Sequence, residues 1–130
     1  MPVEFERVRS KAVWEDLVGY CRVVKAGSAV FVTGTAPVDE SGSKTHAPGD
    51  PYAQAKRCLE LIERALRELG LDRTRIARTR MFVTDISAWR EFGRAHAEFF
   101  GNDRPATTMV EVKRLIDDEM MIEIEADAVA

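Results

Sequence analysis

The last quarter of the chain, from Arg104 to Ala130, holds two alternating runs separated by a polar turn. In the first, Thr108, Val110 and Val112 oppose Thr107, Met109 and Glu111. In the second, Ile122, Ile124 and Ala126 oppose Glu123, Glu125 and Asp127. Alternation with a period of two marks half-buried strands. Asp117, Asp118 and Glu119 lie between the runs, a connection short enough to predict antiparallel neighbours. Upstream, residues 3–9 read as a short strand. Residues 11–18, with Trp14 and Leu17, read as an irregular segment covering part of the core. Residues 20–25 and 29–33 read as a hairpin turning at Ala26-Gly27-Ser28, with Gly34 ending the second strand. Residues 76–84 give a further strand, with Met81 and Val83 on one side and Arg80 and Phe82 on the other.

Two helices complete the pattern. Asp50 caps the first, and Pro51 occupies its first turn, where a missing N–H costs nothing. Cys58, Leu61, Ile62, Ala65, Leu66 and Leu69 form its apolar stripe, and Gly70 is its natural stop. Glu63 and Arg67 are spaced as an i,i+4 pair. Asp85 or Ser87 caps the second helix. Trp89, Phe92, His96, Phe99 and Phe100 crowd one side of it, and Gly101 ends it. Residues 37–49 between the hairpin and the first helix form a loop, expected to be the most mobile piece. The order of elements predicts an α+β two-layer sandwich with both helices on one face of the sheet.

Such a sandwich leaves the other sheet face open. On this reading that face carries Thr107, Met109, Glu111, Glu123 and Glu125, with Arg80 or Arg22 as counter-ions. Isolated carboxylates are costly to bury, so they need arginines, backbone donors or water around them. The pattern therefore points to an oligomer whose sheets face each other. An open, solvated sheet on a monomer is the other arrangement it allows.

Composition narrows the function classes. The 130 residues make a single domain, 1–130, with 45% hydrophobic and 32% charged residues, an ordinary soluble balance. A net charge of -3 argues against a dedicated nucleic-acid binder. No apolar run has the length of a membrane span, and the charged N-terminus lacks an apolar targeting core, so a cytoplasmic location is expected. Cys21 and Cys58 read as small buried hydrophobes and not as a disulfide framework. His46 and His96 have no ligand-spaced partners, so neither a metal nor another cofactor is expected.

The segments GYCRVVKAGSAVFVTGTAPV, YAQAKRCLELIERALRELG, RTRMFVTDISAWREF, AEFF, RPATTMVEVKRL and IEIEADAVA together resemble the Rid proteins, the reactive intermediate deaminases of the YjgF family. The resemblance runs from Tyr20 to the C-terminus. It rests on the G-x-x-x-x-x-x-G-x-x-P segment, the FVTD strand end and the closing VEV and IEIEA strands. It implies a chorismate-mutase-like fold with a mixed six-stranded sheet and two helices, assembled as a homotrimer with a small-molecule cleft at each subunit joint. The best-known members hydrolyse enamines and imines to a keto acid and ammonia. They grip the substrate carboxylate with an arginine directly after Pro-Ala. Here Pro105-Ala106 is followed by Thr107, which lacks the two-pronged charged donor of a guanidinium. Gly93 stands where those members tend to carry an asparagine, and the 101–104 loop is shorter than theirs.

The resemblance carries other residues over. Glu123 matches the cleft glutamate that holds or activates water, and Tyr20 an aromatic closing one side. Thr33 and Gly34 match the small hydroxyl and glycine at a strand end. Thr108 and Met109 fall where backbone contacts and a cleft cysteine lie. Each has a plainer reading. Glu123 could be an interface ion-pair partner, Tyr20 could fill the rim, and Thr107 and Thr108 suit a strand on propensity alone. Arg104 and Arg94 could swing toward the vacated position or remain solvated. His96 reads as a packed core residue. Two functions follow: a Rid-like trimer that binds a small molecule without standard deaminase activity, or a hydrolase of imines or enamines that uses Glu123. A nuclease or translation-inhibitor role gains little from a net-negative chain.

Overall fold

The computed structural model describes residues 2–130. Its strands are β1 (Phe5–Val8), β2 (Val23–Ala26), β3 (Ala29–Thr35), β4 (Ile76–Val83), β5 (Ala106–Glu111) and β6 (Ile122–Val129). The helices are α1 (Val13–Val18), α2 (Pro51–Arg67) and α3 (Trp89–Phe100). The strands form one mixed sheet in the order β1-β2-β3-β6-β4-β5. Ile122, Ile124, Ala126 and Ala128 of β6, with Met81 and Val83 of β4, pack against Leu59, Ile62 and Leu66 of α2 and Phe92 of α3. This is the α+β sandwich expected, with α2 and α3 sharing one face.

Local chemistry fixes α2. Asp50 accepts a hydrogen bond from the Ala53 N–H at 3.0 Å, and Pro51 opens the helix. Leu61 departs from the apolar stripe and is only half-buried. Glu63 lies 3.7 Å from Arg67, but its closer partner is Arg73, whose Nη2 donates to it at 2.6 Å. Asp85 caps the turn before α3 by accepting from the Ser87 N–H. On α3, Phe92, His96 and Phe100 are buried, whereas Trp89 is exposed. Of the cysteines, Cys58 is buried and Cys21 only half-buried.

Three strand expectations need correction. The closing strands are not neighbours: β6 inserts between β3 and β4, and β5 runs parallel to β4 at the sheet edge. The connection can still be short because it crosses only one strand. The parity of β5 is also the reverse of that expected. Its register pairs Thr107 with Thr79 and Met109 with Met81, and both β4 residues face the helices. Thr107, Met109 and Glu111 therefore lie on the helix side, and Thr108 and Val110 on the open face. The run misled because an edge strand is half-exposed on both sides. Thirdly, β3 does not stop at Gly34 but continues to Thr35 through a register shift opposite β6.

Residues 11–18 are not irregular. They include the short helix α1, in which Glu15 is buried and Leu17 is exposed. The 37–49 loop is tied to its surroundings. Val38 bridges Thr45, and Arg57 of α2 donates to the Val38 carbonyl at 2.8 Å and pairs with Glu40. Gly42 has φ +77°, and a Cβ there would sit 2.5 Å from the Lys11 carbonyl oxygen, so loop and N-terminal segment touch backbone to backbone.

Candidate functional site

A cavity of about 450 Å³ opens where β3 and β6 meet the N-terminal segment. Tyr20, Arg22, Gly34 and Glu123 supply part of its polar lining, and Trp14, Val18, Ala36, Val38 and Ile116 its apolar walls. The volume suits a small organic molecule. Glu123 reaches it because β6 alternates: its even-numbered neighbours are buried in the core and leave the carboxylate on the opposite face. Gly34 makes room for that carboxylate, since a Cβ at this position would lie 2.5 Å from Glu123 Oε2.

The electrostatics of Glu123 follow from its surroundings. Burial pushes its carboxyl above the ordinary range, the Arg22 charge partly offsets this, and Glu125 adds to the rise. Glu123 has no salt bridge among the described residues. The arginine pairs elsewhere: Arg22 Nε lies 3.5 Å from Glu15 Oε2, and both side chains are more than nine-tenths buried. Arg22 Nη1 donates to Thr35 Oγ1 at 3.1 Å and to the Gly34 carbonyl at 3.3 Å, and its guanidinium lies 5.7 Å from the Tyr20 ring centroid. A half-buried carboxyl with a raised pKa beside a hydrogen-bonded guanidinium can accept or donate a proton and orient a polar molecule.

The expected site residues divide into two groups. Tyr20, Gly34 and Glu123 line the same cavity. Thr33 lies beside it, in a shallow depression on the open face shared with Tyr20, Cys21, Glu125 and Asp127. Arg104, Thr107, Thr108 and Met109 lie on or just before β5, separated from β6 by β4. One chain does not bring them to Glu123. Thr107 Oγ1 accepts from Thr79 Oγ1 at 2.7 Å, and Thr79 is bonded at 2.8 Å to His96 Nε2. Arg94 is held by Glu91 at 2.8 Å and lies 3.7 Å over the Tyr52 ring. Arg104 is exposed. Arg80, expected as a counter-ion on the open face, pairs there with Glu125 and Asp127, each at 3.2 Å.

Sequence reasoning missed Glu15, placed in a segment read as irregular. Glu15 accepts from the Ser10 N–H at 3.0 Å, a contact that no local pattern announced.

The model of the family described as endoribonuclease L-PSP matches residues 11–130. The chain belongs to this family. Its YjgF/Rid membership accords with the fold of solved relatives. A YjgF/YER057c/UK114 protein from Mycobacterium tuberculosis superposes with a TM-score of 0.87 at 42% identity, covering 98% of this chain and 100% of that one. The YjgF protein of E. coli gives a TM-score of 0.83 at 28% identity over 95% of this chain and 98% of its own. Among curated family members, the 3-aminoacrylate deaminase RutC of Acinetobacter baylyi is 31% identical over 112 residues, 86% of this chain and 87% of RutC. Among the described residues, no helix is long and apolar enough to cross a membrane.

Proposed function

We propose that this protein works as a cytoplasmic homotrimer with small-molecule clefts at the joints between subunits, and that it is not a standard 2-iminobutanoate/2-iminopropanoate deaminase. The observation that carries the second clause is Thr107 in the place of the arginine expected after Pro105-Ala106. The threonine hydroxyl is bonded to Thr79, and Arg94 offers no replacement, since it is engaged on the surface of α3. The trimer reading is supported by the separation of Glu123 from β5 within one chain. A neighbouring copy would supply Arg104, Thr107, Thr108 and Met109 to the cavity that Tyr20, Thr33, Gly34 and Glu123 border. Its partners are then copies of itself and a small metabolite, with neither nucleic acid nor membrane.

A second reading keeps chemistry at the cleft: hydrolysis of an imine or enamine, with Glu123 orienting or activating water. The raised pKa of Glu123 favours it, and so does the deaminase name of the RutC relative. A coupled assay with freshly generated imines of serine or threonine separates the two readings. Loss of one charged clamp costs roughly 3 kcal/mol of transition-state binding, about a hundredfold in rate. Little or no hydrolysis is expected. Turnover equal to that of arginine-bearing members would contradict the first reading.

A further inference from the structure

The cavity reaches past Glu123 to the helix side of the sheet. Val8 pairs with Val23, a core residue, so its side chain lies on that side. Trp14 of α1, Val38 of the 37–49 loop, and Leu61 and Ala65 of α2 join Val8 as walls of the same cavity. These walls are largely apolar and come from separate elements. Leu61 is only half-buried because it faces this space, although Leu59, Ile62 and Leu66 beside it are completely buried. Glu123 stands at the other end, on the open face.

The walls are held apart. Gly42 meets the Lys11 carbonyl with no room for a Cβ, which fixes the loop against the N-terminal segment. Arg57 donates to the Val38 carbonyl at 2.8 Å, which fixes the loop against α2. Glu15 accepts from the Ser10 N–H at 3.0 Å and pairs with Arg22, which fixes α1 against the sheet. With each wall tied by polar or backbone contacts, the space between them stays open. Its apolar lining forfeits dispersion contacts until a hydrocarbon fills it, and water finds few hydrogen-bond partners there.

Charge does not select the occupant of this compartment. Arg9, Arg22 and Arg64 are paired with Asp16, Glu15 and Glu40. Lys11 shares the lining with Asp39 and Glu68. In the proposed assembly, Arg104 of a neighbouring copy would join Glu123 at the far end. Arg9, Lys11, Arg64 and Glu68 are exposed to water and salt, which screen them.

We propose that the cavity is a site in two parts. The Glu123 end takes the polar group of a small metabolite. The compartment walled by Val8, Trp14, Val38, Leu61 and Ala65 takes a bulky hydrocarbon side chain, the size of an isobutyl or benzyl group, and sets specificity for it. The whole cavity, about 450 Å³, has room for both. This rests on reading the Glu123 cavity as a binding site and adds the class of ligand that it prefers.

The titration uses the full chain carrying Trp89→Phe, which leaves Trp14 as its only tryptophan. Trp89 is half-exposed on α3 and outside the cavity, so its replacement keeps the fold. Cyclohexanol is bulky and uncharged. It is expected to give a saturable change in Trp14 fluorescence, with an affinity about tenfold or more above that of ethanol. Leu61→Ala widens the compartment and is expected to raise the affinity for cyclooctanol relative to cyclohexanol. A response that only grows linearly with cyclohexanol, or equal affinities for ethanol and cyclohexanol, would overturn the proposal with the walls intact. An unaltered ring preference in folded Leu61→Ala would do the same. Methylammonium and acetate, followed by ligand-observed NMR, probe the polar end without hydrocarbon bulk. Glu123→Gln is expected to move their relative affinity toward acetate and to leave cyclohexanol as it was. If the ions respond to Glu123→Gln and cyclohexanol fails to saturate, the compartment falls and the Glu123 site stands. If cyclohexanol saturates and the ions ignore Glu123→Gln, the Glu123 reading falls, and the two-part site with it.

Discussion

His96 sits against the buried face of β4, where its Nε2 meets Thr79 Oγ1 and its ring packs 4.6 Å from that of Phe100. Burial lowers its pKa from 6.5 to about 4, because the fold has no counter-ion to offer the imidazolium. A base with a depressed pKa contributes stability that is present above pH 6.5 and lost as pH falls toward 4. Glu123 works in the opposite sense, since its raised pKa favours the protonated native state as pH falls toward its ordinary value of 4.5. The expected outcome is a melting temperature that drops for the wild type between pH 6.5 and 4 and drops less for His96→Gln. Identical acid limbs would show that His96 is not the group responsible. At this scale the sequence was partly legible. The aromatic neighbours of His96 announced a packed histidine. The burial of Glu15 and Arg22 did not show, because charged side chains are exposed by default and only tertiary pairing overrides that.

At the scale of elements, α2 was the most readable piece, since Asp50, Pro51 and the apolar stripe all act locally. Its polar inward residues were not legible. Gln54 is fully buried and joins two connections to the helix: its Nε2 donates to the Glu119 carbonyl at 2.9 Å and to the Ala47 carbonyl at 3.3 Å, while its Oε1 accepts from the Met121 N–H at 2.7 Å. Gln54→Ala leaves buried backbone groups unpaired and should destabilise the fold by about 2–4 kcal/mol in denaturant titration. A change below about 0.5 kcal/mol, the range of surface substitutions, would mean that water replaces the amide. The strands show the opposite weakness. The β6 parity was clear because one side is wholly apolar, whereas β5, with Met109 on one side and Val110 on the other, takes its orientation from β4. Only the ladder that pairs Thr107 with Thr79 reveals it.

For the whole molecule, alternation predicted the layers but not the strand order, which depends on where a late strand inserts. The consequence for function is direct. With β4 between β5 and β6, Thr107 and Glu123 belong to different regions of one chain, and in the proposed assembly a second copy brings them together. The open face carries Arg80 with Glu125 and Asp127, alongside exposed Phe31 and Val110. Light scattering at micromolar concentration should therefore give the mass of a homotrimer, and a stable monomer would remove the inter-subunit cleft. Within that assembly the account turns on Glu123 being kept for the ligand and not for the fold. The most direct test is the melting temperature of Glu123→Gln near neutral pH. The account predicts a value equal to or above the wild type, because a desolvated carboxylate without an ion-pair partner is removed and the shape is kept. If Glu123 instead pairs with a buried arginine across the joint, stranding that arginine costs about 3–5 kcal/mol, and a variant melting several degrees earlier would contradict the account.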